Sequence, residues 1–174
     1  MAIPLENVVS INVEGIVEAA VRQGLQFAVE KAGCAGVDAL LSRLAAHDEW
    51  ALGYFAYSCA HNLADSVAAL DGNISEAYVL GLEGNDCGSA SFPVVLIVSV
   101  ACRTAALESI VSRINGALPR MLVEVTGLGP DLSAGFMDVQ VIEDEDVSMR
   151  RGLGAAVHSL WAPALRVWVR RRSV

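Results

Sequence analysis

Apolar residues recur at helical spacing in three stretches near the start of the chain. The first stretch follows Asn12, a residue type that favours helix starts, and the second begins at Val37. The third follows Asp48 and continues to Leu70, so Asp48 is placed to cap it. We therefore predict three amphipathic helices within residues 1–72.

The longest uninterrupted apolar run of the chain lies from Phe92 to Cys102. Its β-branched content is typical of a strand that is buried on both faces, which makes it the predicted central strand. Val95 and Ile97, in the middle of the run, are predicted core residues. A shorter predicted strand, Ala77 to Gly81, precedes it across a glycine-rich loop, and the two strands predict a hairpin.

The region after the central strand combines one helical pattern with two alternating patterns. The helix is predicted to begin after Thr104 and to end at Gly116 and Pro119. Met121–Val125 and Met137–Ile142 alternate between apolar and polar residues, which predicts two half-buried strands joined by a loop. The predicted inward side chains are Met121, Val123, Val125, Met137, Val139 and Val141.

The last quarter of the chain predicts one more helix and one more strand. Ser148 is placed to cap the helix, which Pro163 must end. Leu165–Arg170 alternates and predicts an edge strand whose charges discourage further strand pairing. One face of this strand is predicted to carry Leu165, Val167 and Val169, and the other Arg166, Trp168 and Arg170.

These elements together predict the α+β class. The expected architecture has N-terminal helices packed on a small mixed sheet of about five strands, with two further helices. A length of 174 residues fits a single domain, with a helical part in 1–72 and a sheet-containing part in 73–174.

The hydrophobic fraction of 54% is high for a monomeric soluble protein. Phe92 to Cys102 is shorter than the roughly 20 residues that cross a bilayer as a helix, so we expect no membrane insertion. The N-terminus carries Glu6 and no basic residue, which is not typical of a secretory signal and favours a cytoplasmic location. Self-association accounts better for the apolar content. We predict a homo-oligomer, a dimer, with Leu153–Val169 contributing to the contact.

Charge is distributed unevenly along the chain. All 20 acidic residues lie at or before Asp146, and six of the 12 basic residues follow it. The net charge of −8 repels polyanions, and Arg170–Arg172 is too short to form a duplex-binding surface. Nucleic acid is therefore not an expected partner.

Four cysteines are widely spaced and form no C-x-x-C pair, which argues against a zinc site of the usual spacing and against a dense disulfide framework. Cys59 and Cys102 fall on apolar faces and are predicted core residues. A single disulfide between Cys34 and Cys87 stays open on sequence alone.

Polar residues recur along one face of the third predicted helix: Tyr54, Ser58, His61 and Asp65. A histidine and an aspartate one turn apart can orient an imidazole for proton transfer or supply two metal ligands, and Tyr54 and Ser58 would then shape a polar groove. The same spacing is typical of a solvated helix face or of a polar patch between subunits. Both interpretations stay open.

Two loops carry weaker chemical patterns. Gly84, Asn85 and Asp86 can present backbone N–H groups to a phosphate, but no helix or lysine follows them, and hairpin turns require the same residue types. Glu143–Asp146 is a run of four acids that could bind a hard divalent cation. The run lacks calcium-loop spacing and is typical of a solvated turn.

The order of elements in residues 50–147 resembles the nucleotidyltransferase superfamily, which has the polymerase-beta-type fold. That family carries Gly-Ser after its first strand, D-x-D on the second and a third carboxylate, because three carboxylates hold two divalent ions for nucleotidyl transfer. The corresponding positions here read Gly81-Leu82 and Phe92-Pro93-Val94, and only Asp138 matches. The resemblance implies a member that lacks the two-metal mechanism and is retained for binding or assembly.

The sequence thus favours a non-catalytic domain that self-associates and binds a small-molecule ligand or a protein partner. The alternative is a metal-dependent hydrolase or a diverged nucleotidyltransferase that uses His61 and Asp65, or Asp138.

Overall fold

A computed structural model describes residues 2–83, 89–159 and 164–171. The chain forms a 3-10 helix, α-helices and strands in these ranges, and the numbering below follows chain order. The helices are Leu5–Ser10 (3-10), Val13–Lys31 (α1), Val37–Ala45 (α2), Glu49–Leu70 (α3), Ala105–Thr126 (α4), Pro130–Ala134 (α5), Asp144–Ser148 (α6) and Leu153–Val157 (α7). The strands are Ile74–Glu83 (β1), Ser89–Val100 (β2), Met137–Glu143 (β3) and Leu165–Val169 (β4).

Some predicted features fall outside the described ranges. They are the loop residues Gly84, Asn85 and Asp86, Cys87, the end of the last predicted helix from Leu160 to Pro163, and Arg172.

The strands form one mixed sheet in the order β3-β2-β1-β4. β1 pairs antiparallel with β2 and with β4, and β3 lies parallel to β2. The predicted α+β class is confirmed, as is the hairpin of β1 and β2. The described sheet has four strands rather than about five, because one predicted strand is helical.

Helices cover the two faces of the sheet unequally. α3 packs on β1, β2 and β4, α4 packs on β3, and α1 lies against both helices as an outer layer. The main core lies between these helices and the sheet, and it includes Phe55, Leu63, Leu96, Val98 and Val100. The short helices α6 and α7 contact the sheet at its opposite face, where Ser99 alternates with Val98 and Val100.

Three helix starts carry the caps that their sequences predict. The side chains of Asn12, Asp48 and Thr104 accept hydrogen bonds from the N–H groups of Gly15, Ala51 and Leu107, respectively. Each cap satisfies a backbone donor that the helix itself leaves unpaired.

The predicted end of α4 at Gly116 and Pro119 is wrong. The helix continues through Pro119 to Thr126, so Met121–Val125 is helical rather than a strand, and Gly127 ends it with a left-handed φ of 68°. Leu118, Met121 and Leu122 are buried at helical spacing, and this apolar face favours continuation beyond the proline. The segment that follows contains the short helix α5 rather than only a loop.

The predicted alternation of β4 is wrong beyond Val167. Ala77 of β1 pairs with Trp168, and the next residue of β1, Tyr78, pairs with Arg166. Val167 therefore has no partner on β1 and forms a β-bulge. This bulge turns Trp168 toward α3 and leaves Val169 44% exposed.

Three further predictions need correction. Ser148 ends α6 instead of capping a helix, and its hydroxyl donates to the carbonyl of Asp144. Cys102 is exposed because it follows the end of β2, whereas Cys59 is buried as predicted. Ile97 is a core residue, but Val95 is only half-buried. No helix in the described ranges combines the length and the apolar character that a membrane span requires.

Candidate functional site

The outer surface of α1 and α3 carries a continuous series of five aromatic rings, which we call the aromatic stripe: Trp50, Tyr54, Phe27, Tyr57 and His61. Successive ring centroids are separated by 6.2 Å, 6.4 Å, 5.7 Å and 6.5 Å in that order. Such distances are typical of interacting aromatic pairs. Trp50 is 50% exposed, His61 is exposed, and the other three rings are half-buried.

Close packing of α1 on α3 brings Phe27 between the tyrosines. Gly24 is buried at the crossing, and a Cβ there would lie 2.7 Å from Cys59 Sγ and 3.1 Å from the Phe55 ring. A glycine therefore lets the two helices approach. Phe27, one turn later on α1, then contacts Tyr54 and Tyr57.

His61 and Asp65 each bind β4 rather than each other. His61 Nδ1 lies 2.8 Å from the carbonyl oxygen of Val167, so this nitrogen carries the hydrogen in that contact. The Trp168 indole N–H donates to Asp65 Oδ1 at 3.1 Å. The two side chains thus fasten the edge strand to α3.

The other two predicted groove residues differ in exposure. Tyr54 is half-buried within the stripe, whereas Ser58 is buried, and its hydroxyl oxygen accepts from Asn62 Nδ2 at 3.1 Å. A 22-residue helix that is covered on one side by the sheet and on another by α1 buries part of its polar face. The structure therefore places Tyr54 and His61 on one surface and Ser58 beneath it.

Asp138 is separated from these residues by the sheet. It lies on β3 beside Val95, between the inward residues Met137 and Val139, and so on the face opposite α3. Gln140 Nε2 donates to Asp138 Oδ2 at 2.5 Å. In the described part of the chain, no group of three or more His, Cys, Asp or Glu side chains is arranged to hold a metal ion.

A polar cleft of about 670 Å³ opens where β1, β2 and β4 meet α6. Within its lining, Asp144 Oδ2 accepts from the Ser75 hydroxyl at 2.7 Å, and Oδ1 accepts from the Ser99 hydroxyl at 2.6 Å. Ser99 is only 2% exposed, and Arg171 also lines the cleft. Sequence reasoning missed this cleft, because Ser75, Ser99 and Asp144 come from distant segments.

The remaining acids of the predicted acidic run face elsewhere. Glu145 and Asp146 form ion pairs with Arg151, and Glu143 accepts from the backbone N–H of Arg103. Only Asp144 reaches the polar cleft. The run is therefore four side chains with separate partners.

Glu76, which also lines the cleft, belongs to a small network on the same face of the sheet. It accepts a hydrogen bond from the Tyr78 hydroxyl and pairs with Arg166 at 3.3 Å. Burial, together with the hydrogen bond to Glu76, raises the pKa of Tyr78 to about 12.

No known family model, curated protein or solved structure matches this chain.

Proposed function

We propose that this protein is a self-associating binding module and that two copies meet through the aromatic stripe. The observation that carries the proposal is the unbroken series of rings from Trp50 to His61 at the surface of the helical layer. Tryptophan and tyrosine are enriched among the residues that dominate protein interfaces. Their half-buried rings are held in place before contact, which limits the entropy lost on association.

Charges at the two ends of the stripe favour a second copy as the occupant. α1 and α3 run antiparallel, since Gly24 meets Cys59 and Phe27 meets Tyr54. Lys31 therefore lies toward the Trp50 end, with its ammonium 5.8 Å from the centre of the Phe27 ring. Asp65 lies one turn beyond His61, at the other end.

A twofold axis through the middle of the stripe makes the surface complementary to itself. It places Lys31 of each copy opposite Asp65 of the other, with the aromatic rings between them. Opposite charges at the rim of an interface favour the correct register and faster association. The segment that includes Trp168 adjoins Asp65, so β4 would extend the same contact, as the predicted role of Leu153–Val169 requires.

A metal-dependent hydrolase that uses His61 and Asp65, or Asp138, is the less favoured function. His61 and Asp65 are engaged with β4, and Asp138 lies across the sheet from them. A degenerate nucleotidyltransferase-like role also stays a proposal.

Paired surface substitutions test the proposed contact. Trp50→Glu places a charge in the stripe, whereas Val123→Glu places one at a similarly exposed apolar position, 42% exposed, on α4. We expect Trp50→Glu to raise the dimer dissociation constant in sedimentation equilibrium at least about a hundredfold, as expected for loss of an interface anchor. Val123→Glu should leave it unchanged.

A charge exchange tests the register. Lys31→Glu alone should weaken the dimer, and Lys31→Glu combined with Asp65→Lys should recover part of the loss. Equal effects of Trp50→Glu and Val123→Glu would contradict the stripe as the contact. If Trp168→Glu also leaves the dimer intact, β4 does not take part.

A further inference from the structure

In the polar cleft, the side chains of Asp144, Ser75 and Ser99 offer a ligand hydrogen-bond acceptors but no free donors. An ionised carboxylate has no hydrogen to donate, so the hydroxyl hydrogens of Ser75 and Ser99 must point to Asp144. Each carboxylate oxygen accepts one of these bonds and keeps capacity for another. The two serine oxygens likewise keep lone pairs. A ligand group bound here must therefore donate hydrogen bonds.

An ammonium group complements this array. It carries three donors and a positive charge, which matches the single negative charge of Asp144. A hard divalent cation such as Ca²⁺ takes six to eight oxygen ligands, whereas Asp144 and Glu76 are the only carboxylates among the described residues that line the cleft. The two carboxylate oxygens of Glu76 are engaged by Tyr78 and Arg166.

Two arginines, Arg170 and Arg171, also line the cleft. Arg170 is held in place by the carbonyl oxygens of Ile74, Ala68 and Asp71 at 2.8 to 3.0 Å. Arg171 follows it, lines the cleft and is exposed, and its side chain has no ion pair or hydrogen bond to any residue in the described ranges. A guanidinium in this position can bind a carboxylate in a two-point contact.

We propose that the polar cleft binds a free α-amino acid, with its ammonium group on Asp144, Ser75 and Ser99 and its carboxylate at Arg171. The volume of about 670 Å³ lies in the range of small-molecule sites and leaves room for a side chain. The cleft shares no residue with the aromatic stripe, although Val169 lines the cleft and also belongs to the segment that is proposed to extend the dimer contact.

Calorimetric titration with the standard L-amino acids as probes tests the site. At least one is expected to bind, its N-acetyl derivative should bind at least about tenfold more weakly because it lacks the ammonium, and Asp144→Asn should weaken binding by a similar factor. Glu145→Gln is the matched control, because it also removes one negative charge from α6 but faces Arg151. It should leave the affinity unchanged.

Two more variants separate the ends of the ligand. Ser99→Ala removes an acceptor and should weaken both the amino acid and its decarboxylated amine. Arg171→Ala should weaken the amino acid and leave the amine unchanged. Thermal unfolding of each variant, followed by circular dichroism, verifies that the fold is retained.

Several outcomes would overturn the proposal. They are the absence of binding by every amino acid tested, equal effects of Asp144→Asn and Glu145→Gln, and undiminished affinity of the N-acetyl derivative. The oligomeric state of the same samples, measured by light scattering, shows separately whether the dimer is present. Failure of one proposal is thus distinguishable from failure of the other.

Discussion

The phenol of Tyr78 contributes to the alkaline stability of the protein. Its pKa lies above the ordinary 10.0, at about 12, because burial and the hydrogen bond to Glu76 favour the neutral form. A group with a raised pKa in the folded state contributes stability that is complete below pH 10 and is lost as the pH rises to about 12. We expect the free energy of unfolding to fall across this window.

Urea unfolding at a series of pH values measures the effect. Tyr78→Phe should flatten the fall between pH 10 and about 12 relative to the native chain. Tyr57→Phe, which changes a tyrosine of the aromatic stripe, should not. Equal slopes for the native chain and Tyr78→Phe would contradict the role of this phenol.

At the scale of single residues, the sequence predicts local contacts well and distant ones poorly. Asp48 and Asn12 were predictable as caps because the partner N–H lies three residues away. The partners of His61 and Asp65 lie on β4, more than 100 residues later, and helical spacing alone does not reveal them. Ser75 and Ser99 likewise meet Asp144 only in the folded sheet.

At the scale of elements, the crossing of α1 and α3 depends on the absence of a side chain at Gly24. Gly24→Ala would bring a Cβ within 2.7 Å of Cys59 Sγ, and we expect a loss of about 1–3 kcal/mol, the usual cost of overpacking. Denaturant unfolding measures it. Cys59→Ala in the same chain should recover part of the loss by making room.

Gly116→Ala is the matched control for this prediction. Gly116 lies within α4, where an added Cβ meets nothing within 4 Å. The substitution should therefore stabilise the protein by about 0.4–1 kcal/mol, since alanine favours helix. A neutral or stabilising Gly24→Ala would show that the two helices can separate without cost.

The predictions of helices and strands were wrong where tertiary packing overrides the preferences of the local sequence. Pro119 is a helix breaker in isolation, yet the apolar face of α4 extends past it to Leu122 and is buried on the sheet side. Strict alternation in β4 fails at Val167, because a bulge is a feature of strand pairing that one strand alone does not encode. The longest apolar run, by contrast, predicted β2 within the sheet.

At the scale of the whole molecule, the order of helical and alternating patterns in the sequence predicts the fold class. It does not predict the surfaces that the folded chain presents. The aromatic stripe combines residues of two helices, so neither helix alone indicates it. The high apolar content predicts self-association, and our proposal assigns the contact to the stripe.

The mass of the native chain in solution tests the central proposal most directly. Light scattering at micromolar concentration is expected to give twice the chain mass of 18.3 kDa, because the proposed contact joins two copies about a twofold axis. A mass of 18.3 kDa throughout the accessible concentration range would contradict self-association.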